Sequence, residues 1–97
     1  MTPLPFDLEK IREVCKRNDV AMLGIFGSFA RGEATDQSDV DLLVRFSRRK
    51  SLLALVALER QIATLIGRKI ELLTEAALSP YLRDRILREV QIIYEAG

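Results

Sequence analysis

Histidine is missing from this sequence and cysteine occurs once, at Cys15. Without histidine there is no Ser-His-Asp or Cys-His catalysis, and one thiol supports no zinc finger, disulfide framework or c-type haem attachment. An excess of one charge is missing too. Fifteen basic residues against fourteen acidic ones leave a net charge of +1, too balanced for the global field of a strong nucleic-acid or membrane-surface binder. Direct nucleic-acid binding is therefore not expected. The longest apolar run, Leu52 to Leu58, is far short of a membrane span, and the opening MTPLPFDLEK has no basic segment leading an apolar one. No membrane association is expected, and the simplest location is the cytoplasm.

What is present describes a small folded domain. Of 97 residues, 48% are hydrophobic and 30% charged, far from the disordered regime. A chain this short buries only about 60–65% of the surface its unfolded form exposes, which allows one thin core. The expectation is a single domain over residues 1–97, with any acceptor-binding domain on another chain. The chemistry left to it is that of carboxylate, hydroxyl, lysine and arginine.

Asp7 is placed to cap a first helix, with Phe6 and Ile11 at the positions of a hydrophobic staple after Pro5. Leu8, Ile11, Val14 and Cys15 share one helical face, so Cys15 reads as core rather than as a reactive thiol. Val20 to Phe26 is a nearly continuous apolar run that suits a strand buried on both faces. A polar segment with two glycines, Gly27 to Gln37, leads to a second strand over Ser38 to Phe46, opening at its acids. Ser51 caps a long helix whose apolar face is Leu52, Leu55, Val56, Leu58, Ile62, Leu65 and Ile66, and Gly67 falls at its left-handed end. Lys69 to Thr74 is a third strand. Ser79-Pro80 opens a last helix with Leu82, Ile86, Leu87 and Val90 turned inward, and Ile92 to Tyr94 reads as a closing edge strand. The order describes a small α/β (α+β) domain of about four strands with helices packed on its sheet, without internal repeat or linker.

The informative segment is GIFGSFARGEATDQSDVDLLV, Gly24 to Val44. Side chains alternate along a strand, so Asp39 and Asp41 share a face with α-carbons about 6.6 Å apart, within common reach of one hard divalent cation. Two unpaired acids this close repel, which favours an ion between them, and magnesium suits oxygen ligands beside phosphates. Gly27 permits a tight exit from the first strand. Ser28 offers its amide and hydroxyl to an anion at the start of a helical turn. Arg31, three residues further, lies on the same side and can pair with phosphate, or with Asp36 or Asp39.

Gly27-Ser28, ten intervening residues and Asp39-x-Asp41, with Arg31-Gly32 inside, resemble the signature of the DNA polymerase beta-like nucleotidyltransferase superfamily. Over nearly the whole length, including Gly67 to Gly97, the chain is most similar to the minimal nucleotidyltransferases of the MNT type. The resemblance implies a mixed-sheet nucleotidyltransferase fold in which Gly27, Ser28 and Arg31 bind the nucleotide and Asp39 and Asp41 hold magnesium. It also implies a third metal-binding or catalytic carboxylate on the next core strand, where Glu71 stands in place of the usual aspartate. MNT proteins are the antitoxins of HEPN–MNT toxin–antitoxin pairs, and members transfer AMP from ATP to a tyrosine of the HEPN toxin, a ribonuclease. The resemblance thus implies an ATP-using, magnesium-dependent adenylyltransferase that forms a hetero-oligomer with a HEPN toxin.

Two other functions are weighed. One is a non-catalytic module that neutralises its partner by covering it, which Glu71 in place of aspartate favours; the other, weaker, is transfer to a small molecule. Glu71 has an alternative reading as an exposed strand acid paired with Arg68 or Lys69. Arg45, Arg48, Arg49 and Lys50 read as a solvated basic loop, Phe26 and Phe29 as core and pocket wall.

Overall fold

The computed structural model describes residues 6–96; Pro5 and the other residues before Phe6 lie outside the described residues, as does Gly97. Helix α1, Leu8–Arg17, starts where Asp7 accepts a hydrogen bond from the Lys10 amide at 3.3 Å. Strand β1 is Val20–Phe26, a short helix α2 spans Ser28–Arg31, and strand β2 is Val40–Phe46. Helix α3, Leu52–Ile66, is capped by Ser51 and ends at the left-handed Gly67, with φ 76°. Strand β3, Ile70–Thr74, runs into a single 3-10 turn, and helix α4, Pro80–Glu89, is followed by strand β4, Gln91–Glu95.

The four strands form one mixed sheet in the order β3-β2-β1-β4, with β1 antiparallel to both neighbours and β2 parallel to β3. The expectation of a small mixed sheet of about four strands is met, and the closing segment is a strand. The second strand starts two residues later than expected, at Val40 rather than Ser38, so Asp39 stands just ahead of it.

Alternation along β2 decides which groups meet. Leu42 and Val44 face a large core shared with Ile11, Val14 and Cys15 of α1 and Leu58 and Ile62 of α3. Leu43 faces the opposite side, where Met22 and Phe26 pack against Leu78 and Ile86. Asp41, two residues before Leu43, shares that second side with α4. The thiol of Cys15 is fully buried, and burial pushes its pKa up to about 11, which makes it a core atom and not a nucleophile.

The second core is too small to absorb the whole apolar stripe of α4. Ile86 is buried, but Leu82 is 47% exposed and Leu87 37%, contrary to expectation. On α3, Leu52 is likewise exposed, leaving Leu58 and Ile62 as its buried residues.

Between α1 and β1, Asp19 adopts φ 56° and its carboxylate pairs with Lys50 at 2.6 Å and Arg48 at 3.8 Å. Arg45 pairs with Glu75, its Nε donating to Oε1 at 3.1 Å, so three of the four residues of the basic run are paired within the chain. The Lys50 hydrogen bond holds the Asp19 carboxyl below its usual range. A carboxyl with a depressed folded-state pKa stabilises above its unfolded pKa, and this contribution fades as pH falls through the folded value. Asp19→Asn, which keeps the preference for positive φ, is expected to lower the melting temperature slightly at neutral pH. The difference should shrink in strong acid and at high salt, as measured by thermal melts across pH.

Candidate active site

The exit from β1 sets the Ser28 turn against the acid of β2. Gly27 has φ 73° and ψ −150°, a region open essentially to glycine alone. A β-carbon there would lie 2.3 Å from Asp41 Oδ2, so the turn is packed directly against the carboxylate. The close approach expected of the Gly27 backbone is therefore made first to an acid of the same chain. Ser28 opens α2 immediately after, and its carbonyl accepts the Glu33 amide at 2.9 Å as the turn closes.

Across the sheet, Asp41 is the register partner of Glu71 in the parallel pairing of β2 and β3. The three acids separated in sequence are brought to one end of the sheet, on the α4 side. Burial pushes the Asp41 carboxyl above its usual value, and the charges of Glu71 and Asp39 push it further in the same direction. Asp39 lies 4.0 Å from Lys69 Nζ, a partial counter-charge. As the side chains lie, no three metal-binding side chains among the described residues enclose an ion. Glu71 is an exposed strand acid, as its alternative reading had it, but among the described residues it pairs with neither Arg68 nor Lys69. Lys69 faces Asp39, whereas Arg68 donates to the Thr35 and Ser38 carbonyls at 3.4 and 3.2 Å and stacks 5.3 Å above the Phe29 ring.

Arg31 departs from expectation. Instead of Asp36 or Asp39 it meets Glu33, at 2.6 Å from Nε, and Glu89 of α4, at 3.1 Å from Nη1. Sequence reasoning missed Glu89 because it lies 58 residues away and nothing local marks it. Gln91 was missed for the same reason; its Nε2 donates to the Ala30 carbonyl at 2.9 Å and ties β4 to α2. Phe26 is buried in the second core, as expected, and Phe29 is buried in the first, against Phe6 with ring centroids 5.5 Å apart.

The sheet order and this arrangement define a domain of the nucleotidyltransferase fold. A solved structure provisionally described as a minimal nucleotidyltransferase is 37% identical, with a TM-score of 0.77 over 87% of this chain and 86% of its own. Two more distant structures share the fold. One is a toxin–antitoxin crystal structure with AMP-PNP, with a TM-score of 0.77 at 18% identity over 94% of this chain and 75% of its own. The other, a Shewanella oneidensis complex of a tri-AMPylated HEPN toxin with its MNT antitoxin, has a TM-score of 0.68 at 16% identity over 92% and 70%.

The chain belongs to the nucleotidyltransferase domain family, which residues 8–93 match. Among its relatives, the protein adenylyltransferase MntA of Thermococcus cleftensis is 39% identical over 79 residues, covering 81% of this chain and 80% of that protein.

Proposed function

We propose that this chain is an antitoxin protein adenylyltransferase, which transfers AMP from ATP to a hydroxyl, a tyrosine, of a partner HEPN ribonuclease toxin and so neutralises it. The observation that carries the reading is the contact of Gly27 with Asp41, which sets the Ser28 turn beside carboxylates contributed by two parallel strands. The MntA relative and the toxin–antitoxin fold neighbours support the choice of acceptor class.

In this reading Gly27, Ser28 and Arg31 bind the triphosphate. Asp39, Asp41 and Glu71 are an all-oxygen donor set in which burial first, and the charges of Glu71 and Asp39 next, push the Asp41 carboxyl up, an environment that suits a hard divalent cation such as magnesium. When bound, that ion would neutralise phosphate charge and favour loss of the acceptor proton. The acceptor oxygen attacks the α-phosphorus, the bond to the bridging oxygen breaks, and pyrophosphate leaves with the electron pair. Glu71, in register with Asp41 on the edge strand, is the carboxylate assigned to the acceptor side, where it takes the hydroxyl proton or helps hold the ion.

Co-incubation with the genomic neighbour, ATP and magnesium, followed by intact-mass measurement, tests this reading. Catalytic amounts of the chain are expected to add one or more AMP groups to an excess of toxin. Neutralisation only at equal stoichiometry, without added mass, would establish the non-catalytic covering module in its place.

A further inference from the structure

Two carboxylates meet on the guanidinium of Arg31, and they are held very differently. Glu89 ends helix α4, its side chain is 18% exposed, and both its oxygens lie within 3.4 Å of Nη1. That end of the helix is tied to α2 a second time through Gln91 and the Ala30 carbonyl. Glu33 is 64% exposed and follows the left-handed Gly32 on the loop leaving α2. A guanidinium offers five donors in a fixed fork. Glu89 takes Nη1 and Glu33 takes Nε, while no described residue takes Nη2.

We infer that Glu89 is a positioning residue that holds Arg31 towards the phosphates of the nucleotide, and that Glu33 occupies the place on Arg31 that a phosphate oxygen takes. The inference rests on the reading of Arg31 as a phosphate ligand. The difference in anchoring separates the two acids. An exposed carboxylate on a loop exchanges readily for a more highly charged anion, since such pairs are worth little in water. A mostly buried carboxylate on a braced helix end stays and fixes the rotation of the fork, so that the bound geometry is set before the nucleotide arrives. Removing the two charges should therefore have opposite effects on nucleotide affinity, although both touch the same arginine.

The test is calorimetric titration of the full chain with a non-hydrolysable ATP analogue and magnesium. Glu89→Gln is expected to weaken binding about fivefold and Glu33→Gln to tighten it about twofold, the scale of one charge-assisted hydrogen bond lost or one competitor removed. In an Arg31→Ala background Glu89→Gln should add nothing, whereas in a Ser28→Ala background it should keep its full effect. A merely structural role would carry the same loss into both backgrounds. Full affinity in Glu89→Gln, a loss that persists in Arg31→Ala, or weaker binding in Glu33→Gln overturns the inference. Unchanged affinity in Arg31→Ala alone overturns the phosphate reading and this inference with it, whereas a loss there without one in Glu89→Gln overturns the brace alone. If Glu89→Gln does not fold, Glu89→Asp keeps the charge and retracts it by one methylene. Its smaller loss should also vanish with Arg31→Ala, and one that persists overturns the inference.

Discussion

Asp41→Asn is expected to reduce AMP transfer by about a thousandfold or more while leaving the domain folded. Asp41 is the most enclosed of the three acids: it faces the second side of the sheet, touches the Gly27 turn and is in register with Glu71. Its carboxyl is pushed above the ordinary value by burial first and by Glu71 and Asp39 next, so the charged form is the costly one in the folded state. A neutral amide of nearly the same shape removes that cost as it removes the ligand. The melting temperature in magnesium-free buffer should therefore stay level or rise, the opposite of what loss of a stabilising ion pair would give. Radiolabel transfer to the partner and a thermal melt of the same sample decide both halves. Near-normal transfer, or a large loss of stability, would remove Asp41 from its assigned role.

The second large effect is expected at Gly27. An alanine there must hold φ 73° with ψ −150°, at a cost of about 1–3 kcal/mol, and its β-carbon overlaps the Asp41 carboxylate. The strain and the displacement add: Gly27→Ala should lose both stability and transfer. Gly67→Ala is the matched control. Its φ of 76° with ψ 21° is the ordinary left-handed region, unfavourable for a side chain but less so than the Gly27 conformation, and nothing lies within 4 Å of the added carbon. It should cost about 1 kcal/mol of stability and leave transfer unchanged. If both variants lose activity in proportion to stability, the contact with Asp41 contributes nothing of its own.

Much of the fold was legible because local signals agreed with each other. Asp7, Ser51 and Ser79 each accept a backbone amide at the helix start that the sequence assigned to them, and Gly67 ends α3 as a left-handed residue. The continuous apolar run of β1 reflects its central place, buried on both faces between two antiparallel neighbours. Less legible was how much apolar surface each helix would bury. Periodicity puts Leu52, Leu82 and Leu87 on apolar stripes, but the sheet reaches only as far as its strands, and these residues lie at the margins of the two cores. The spacing of Gly27, Ser28, Asp39 and Asp41 is short-range and could be read along the chain. The partners of Arg31 could not, since Glu89 reaches it only because β4 returns beside β1 and brings the end of α4 over α2.

The parallel pairing of β2 with β3 imposes an order on synthesis. By the time Phe46 has left the ribosome, β1 and β2 can pair as antiparallel neighbours and set the Gly27 turn against Asp41. Glu71 cannot join them until the whole of α3 has emerged and crossed over the sheet, because a parallel neighbour is not reached through a tight turn. Meanwhile the other edge of β1, Met22 to Ile25, stays unpaired until Gln91–Glu95 are made. A nascent chain therefore carries Gly27, Ser28 and Asp41 on an open-edged hairpin well before Glu71 arrives, and that interval is when chaperone protection matters most.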